Sequence, residues 1–171
     1  MKPLVVLVAI VLGVASCQSH RQTATYKEPR DGWSVAYPAS MNVHAIGYAK
    51  GMLLARGAAI ASSREVRATQ ELSFRRFPAN AVAFGLVRYF GGPTQKPSAR
   101  ETPLPLEQSR FRPIRGAPPP KVLEQPMSAD GVTWHVLVWF GPRASDEDKD
   151  AVWRIVRSIR MPGQLQTPGD D

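Results

Sequence analysis

The chain has 171 residues, of which 43% are hydrophobic, and it carries a formal net charge of +8 at pH 7. This length suits one domain that buries a sizeable core, and it leaves no room for a second domain of typical size. The chain contains one cysteine, which excludes an intrachain disulfide, so the folded state must be stabilised by packing and hydrogen bonds.

The first 17 residues have a pattern that is typical of an export signal. Lys2 is followed by an apolar stretch from Leu4 to Val14, and two small residues precede Cys17. The stretch is too short for a transmembrane helix, which needs roughly 20 apolar residues. Residues 14–17, Val-Ala-Ser-Cys, resemble the lipobox of bacterial lipoproteins. The resemblance implies cleavage before Cys17, a diacylglyceryl thioether on its sulfur and usually an acyl chain on its new amino group.

Residues 1–16 are therefore predicted to be a signal peptide, with an ordinary cleaved signal and an incidental cysteine as the alternative. A lipid on Cys17 anchors the exported protein to the bacterial cell membrane or the outer membrane. Outside the cytoplasm, nucleic acid is excluded as a partner of the positive charge, and an anionic envelope component or an envelope protein is expected instead. Residues 17–27 are predicted to be a flexible tether, 28–161 one domain and 162–171 a disordered tail.

Period-two alternation of apolar and polar residues predicts several strands in the first half of the domain. The predicted strands lie at 33–37, 41–45, 53–61, 71–77 and 81–90. The last of these is apolar on both faces, which favours a central position in a sheet. Two proline-rich stretches, 91–107 and 112–126, are predicted to be long connections, because proline cannot continue a helix or a central strand.

The second half of the domain carries the clearest hairpin signal. Asp130-Gly131 separates two strand-like runs, Lys121–Met127 and Val132–Phe140, and this dipeptide is typical of a tight hairpin turn. Alternation in the second run places Trp134 on one face of the sheet and Trp139 on the other. The pattern predicts an antiparallel pair.

After Gly141-Pro142 the apolar period changes from two to 3.6, which predicts an amphipathic helix. Ser145 and Asp148 have the spacing of an N-terminal capping box. A helix with one apolar face must bury that face against another apolar surface. We therefore predict an α+β domain in which an antiparallel β-sheet packs against a C-terminal amphipathic helix.

Two segments of this pattern resemble a known family. Residues 31–38, Asp-Gly-Trp-Ser-Val-Ala-Tyr-Pro, and the helix residues 151–159, which end Ile-Val-Arg-Ser-Ile, are similar to the opening strand and the closing helix of Mog1/PsbP-like domains. The resemblance implies an α/β/α sandwich around an antiparallel sheet. It also implies an accessory or binding role without shared catalytic residues.

The sequence contains no recognisable catalytic or metal-binding motif. His20, His44 and His135 are far apart, so neither a metal nor another cofactor is predicted. The protein is interpreted as a non-enzymatic binding or accessory module. Its expected binding face contains His135, Trp139, Trp153 and Arg112, with Trp153 partly exposed at the border of the helix's apolar stripe.

Other interpretations remain at this point. Both tryptophans could instead be core residues. The protein could be a carrier of apolar or amphiphilic ligands, with small side chains at 53–61 leaving space between sheet and helix. It could also be an envelope hydrolase whose activity depends on His135.

Overall fold

The computed structural model describes residues 22–46, 55–66, 76–90, 101–114 and 120–163. These residues form two antiparallel sheets and one C-terminal α-helix that packs against them, which confirms the predicted α+β class. The predicted signal peptide, Cys17 and residues 164–171 of the predicted tail lie outside the described residues, as does most of the strand predicted at 71–77.

The smaller sheet pairs β1 (Thr23–Lys27) with β2 (Ser34–Pro38). The prediction of a flexible tether at 17–27 is therefore wrong for residues 23–27, which form β1. Alternate side chains of β1 are half-buried, and the Tyr26 ring lies 5.4 Å from the Trp33 ring, centroid to centroid. This packing stabilises a short strand of threonine and tyrosine, two residue types that favour β structure.

The larger sheet has the strand order β3-β4-β5-β8-β7-β6, and every neighbouring pair is antiparallel. Its strands are β3 (Asn42–Ile46), β4 (Ala55–Ala61), β5 (Val82–Tyr89), β6 (Arg112–Pro113), β7 (Lys121–Ala129) and β8 (Val132–Phe140). β5 is a central strand, as its apolar pattern predicted. The stretch at 112–126 is not only a connection: it contains β6, which was not predicted, and its residues 121–126 belong to β7, the strand that the hairpin signal predicted. Proline is tolerated in β6 because this strand lies at the edge.

The hairpin of β7 and β8 turns at Asp130 and Gly131, whose φ angles are 51° and 68°. Positive φ at both central residues is the geometry of a type I′ turn, which matches the twist of the flanking strands. The predicted hairpin is confirmed, and β7 extends two residues beyond its predicted end.

The helix α1 spans Asp146–Arg157 and begins at the predicted cap. The Ser145 hydroxyl oxygen accepts a hydrogen bond from the backbone N–H of Asp148 at 3.1 Å, and its O–H donates to the Asp148 carboxylate at 2.6 Å. Acidic residues in the first turn and arginines in the last complement the helix dipole. The capping prediction is confirmed.

The larger sheet has a buried cluster on each face. The helix-side core joins apolar residues of α1 to Trp134, Val136 and Val138 of β8. The far-side core contains Leu137 and Trp139 of the same strand. The predicted alternation along β8 is confirmed, and the one described α-helix covers one face.

Ser158, directly after α1, joins the helix to β2. Its hydroxyl oxygen accepts a hydrogen bond from the Ala36 N–H at 2.9 Å and lies 2.8 Å from the Ile155 carbonyl oxygen. We predict that Ser158→Ala lowers the free energy of unfolding by about 1–2 kcal/mol, because the Ala36 N–H loses its partner. Urea unfolding measures the change. Ser109→Ala, at an exposed position, is the control, and equal effects of the two substitutions would contradict the assignment.

Candidate functional site

The residues of the predicted binding face do not lie on one surface. Trp139 is 3% exposed and belongs to the far-side core, whereas Trp153 is 5% exposed and belongs to the helix-side core. The large sheet separates them, because alternation along β8 points Trp139 away from the face on which α1 packs. The prediction of a single face containing both tryptophans is wrong.

The predicted partial exposure of Trp153 is also wrong. Its ring meets the Phe111 ring edge to face, with centroids 5.0 Å apart, and lies 5.8 Å from the Phe140 ring. Phe111 follows a short 3₁₀ helix at Gln108–Arg110, which a sequence period does not reveal. Phe111 and Phe140 together cover all but a small part of the indole, which is 5% exposed.

His135 lies in a cluster on the far side of the sheet. Its Nδ1 atom is 2.5 Å from Oε1 of Glu124, and its ring meets the Tyr89 ring edge to face at 4.8 Å. The side chains of His135 and Glu124 are 22% and 29% exposed, so solvent reaches both. We call Tyr89, Glu124 and His135 the histidine cluster.

Arg112 lies beside this cluster by strand register, because it pairs with Glu124 across β6 and β7. Its guanidinium binds a neighbouring segment of the chain, because Nη1 donates a hydrogen bond of 2.6 Å to the Ser109 carbonyl oxygen. By strand register, three of the four predicted residues, Arg112, His135 and Trp139, therefore belong to one side of the sheet. Trp139 is too deeply buried there to offer its ring to a partner.

The histidine cluster changes the acidity of Tyr89. Burial, and secondarily the negative charge of Glu124, raises the pKa of Tyr89 from 10.0 to about 12. The folded state thus favours the neutral phenol, so the stability that this preference contributes is fully present below pH 10 and is lost as the pH rises towards 12.

We predict that Glu124→Gln lowers the pKa of Tyr89 but leaves it above 10, because burial is the larger cause. A titration of the Tyr89 ring carbon followed by NMR measures the pKa in both proteins. Glu107→Gln, which removes an exposed carboxylate, is the control. An unchanged pKa in Glu124→Gln would contradict the charge contribution.

A concave surface lies on the other side of the sheet, beside α1. It is an open groove with a volume of about 610 Å³. We call it the tryptophan groove. Its floor includes Leu123, Phe140 and Trp153, and its rim includes Gln108, Lys121 and Lys149.

The rim of the tryptophan groove is positively charged. The Lys149 ammonium binds the Asp146 carboxylate at 2.8 Å, and this bond lowers the pKa of Asp146. Within the described part of the chain, Lys121 has no carboxylate at salt-bridge distance. Its ammonium is the group that can bind an anionic side chain of a partner.

The described residues contain no cluster of three or more His, Cys, Asp or Glu side chains that could hold a metal ion. Among the same residues, no helix has the length and apolar character needed to cross a membrane. Comparisons of the chain with protein-family models, with curated proteins and with solved structures find no match.

Sequence reasoning missed Glu124 and most of the groove. The position of Glu124 has a usable signal: a two-residue turn at Asp130-Gly131 fixes the register, which places Pro126 opposite His135 and Glu124 two pairs further along, on the same face of the sheet. The groove has no such signal, because Gln108 lies in a segment without regular secondary-structure periodicity.

Proposed function

We propose that this chain is an exported bacterial lipoprotein, anchored through Cys17, whose domain binds another envelope protein at the tryptophan groove without catalysing a reaction. The leader pattern of residues 1–17 supports the anchor. The observation that carries the binding role is the groove itself, because it combines an apolar, aromatic floor with a basic rim.

The shape of the groove favours a segment of protein as its occupant. Its volume of about 610 Å³ lies in the usual range for binding sites. Pockets for small apolar ligands enclose 70–90% of the ligand surface, whereas this groove is partly open to solvent. Aromatic floors with polar rims are typical of protein interfaces. We propose an extended segment with apolar side chains and at least one carboxylate, which Lys121 binds.

The burial of the small residues of β4 counts against the carrier alternative. Ala58 and Ile60 are fully buried in the helix-side core, and Ala59 and Ala61 are fully buried in the far-side core. The small residues of β4 allow close packing between layers. A surface groove is thus a better place for a ligand than the interior.

Contacts between the two ends of the domain support a Mog1/PsbP-like assignment as part of this proposal. Ser158 binds Ala36, and Arg160 exchanges two backbone hydrogen bonds of 2.9 Å with Ser34. The two segments that resemble the family thus lie against each other. Such a relationship favours an accessory role.

Site-specific photocrosslinking in the bacterial envelope tests the groove. A photoreactive residue replaces Gln108 at the rim or, as a control, the exposed Glu65. We expect one discrete adduct from position 108 and none of that mass from position 65. Lys121→Glu should reduce its yield about fivefold, the change that follows from losing roughly 1 kcal/mol of charge attraction. Lys27→Glu makes the same charge change at another exposed site and should leave the yield unchanged.

The captured segment, made as a synthetic peptide, should bind the purified lipoprotein in calorimetry and bind the Lys121→Glu variant more weakly. Identical adducts from positions 108 and 65, or adducts that Lys121→Glu does not affect, would contradict binding at the groove.

One observation favours a second candidate function, an envelope hydrolase. The Glu124 carboxylate at 2.5 Å from His135 Nδ1 orients the imidazole, an arrangement that lets Nε2 act as a general base. Screening of the purified protein against esters, peptides and glycosides tests this candidate. Turnover that His135→Gln abolishes without changing the melting temperature would support it, and no turnover of any substrate would count against it.

A further inference from the structure

The point where the chain enters the domain is fixed. The Ala39 N–H donates a hydrogen bond of 2.9 Å to the carbonyl oxygen of Gln22, and Thr23 pairs with Pro38 at the end of β1. Cys17 precedes Gln22 by five residues, and a fully extended chain of that length spans at most about 18 Å. If Cys17 carries the proposed lipid, the surface around Gln22 must therefore lie close to the headgroups of the bilayer.

A second concave surface lies at this entry point, between β2 and the end of α1. Its volume is about 430 Å³, and Gln22, Tyr37, Arg154 and Ser158 are among its lining residues. We call it the entry pocket. Arg154 is exposed, and within the described residues it has no carboxylate at salt-bridge distance, although Asp150 lies one turn earlier on the helix.

The chemistry of the entry pocket matches a lipid phosphate. A guanidinium forms two parallel hydrogen bonds with phosphate oxygens, and tyrosine is enriched at the level of membrane headgroups. We infer that the entry pocket binds the headgroup of an anionic phospholipid and so holds the domain in one orientation on the membrane. This inference rests on the proposed lipid anchor, and the short distance between Cys17 and Gln22 selects a membrane lipid as the occupant.

This orientation leaves the tryptophan groove accessible. Lys149 and Trp153 lie on one flank of α1, and Arg154 and Ser158 lie on another, because successive helical residues are rotated by about 100°. A domain that rests on the bilayer through Arg154 therefore presents the groove to a partner beside it.

Fluorescence quenching on vesicles tests the orientation. The full chain, expressed in bacteria with its leader and purified, is reconstituted into phosphatidylcholine vesicles with or without 30% phosphatidylglycerol and with a quencher on the headgroups. A fluorophore is attached at Ser40→Cys, beside the entry point, or at Gln108→Cys on the groove. With phosphatidylglycerol we expect strong quenching at position 40 and weak quenching at position 108.

Arg154→Gln should reduce the ratio of docked to undocked protein roughly fivefold, the effect of one basic contact with an anionic surface. Arg143→Gln removes the same charge at another exposed site and should leave the ratio unchanged. Equal effects of the two substitutions, or equal quenching with and without phosphatidylglycerol, would overturn the inference.

Mass spectrometry of the same preparation separates the two proposals. A lipidated Cys17 without oriented docking contradicts the entry pocket alone. An unmodified Cys17 contradicts the lipoprotein proposal and the inference that rests on it.

Discussion

Trp153→Ala is expected to lower the free energy of unfolding by about 3–5 kcal/mol, the usual cost of removing a large buried aromatic side chain. The indole is 5% exposed and packs against Phe111 and Phe140, so its loss leaves a cavity between α1 and the sheet. Urea unfolding of the purified protein measures the change. Gln108→Ala, at the rim of the same groove, should stay within about 0.5 kcal/mol of the unsubstituted protein.

Trp153 also contributes to the floor of the tryptophan groove, so a second variant is needed to separate stability from binding. Trp153→Phe keeps an aromatic ring in the core and should recover most of the stability lost in Trp153→Ala. Weaker photocrosslinking from position 108 in Trp153→Phe would then report on the groove itself. If Trp153→Ala unfolds at the same urea concentration as the unsubstituted protein, Trp153 is not a core residue.

The elements that were predicted correctly are those with local signals. Asp130-Gly131 specifies a tight turn by itself, and Ser145 with Asp148 specifies the start of a helix. β5 was identified as central because both of its faces are apolar. Each of these features depends on residues that are close in sequence.

The elements that were missed depend on contacts between distant residues. β1 forms because it pairs with β2 and because Tyr26 packs against Trp33. The five residues of β1 are mostly polar, so their own sequence does not indicate a strand. β6 has two residues and exists only through its pairing with Leu123 and Glu124. The groove likewise combines the irregular chain at Gln108, the edge of the sheet and one flank of α1, so no periodicity could have indicated it.

The same distinction explains why the predicted binding face was wrong. A strand pattern assigns residues to two faces, and it correctly separated Trp134 from Trp139. The strand pattern does not indicate which face the helix covers or how completely each face is buried. Because α1 covers one face and the far-side core is also closed around Trp139, the exposed surfaces lie at the ends and edges of the sheet, where alternation carries no information.

Gly57→Ala is expected to destabilise the domain by about 4 kcal/mol, because the added methyl group meets backbone atoms of a central strand. A Cβ atom at position 57 would lie 2.0 Å from the Leu86 carbonyl oxygen and 2.9 Å from Val87 Cα. The φ angle of Gly57, +151°, is also one that side chains rarely adopt. β5 cannot move away from the methyl group without disturbing its pairing with β8.

Gly131→Ala is the matched control, since Gly131 has a φ of +68° and nothing within 4 Å of an added Cβ. Its cost should be about 1–2 kcal/mol, the penalty for a left-handed residue alone. The difference between the two free energies of unfolding, measured in urea, therefore reports the close approach of β4 and β5 together with the less accessible φ of Gly57. Equal losses at the two positions would contradict the steric explanation for the glycine in β4.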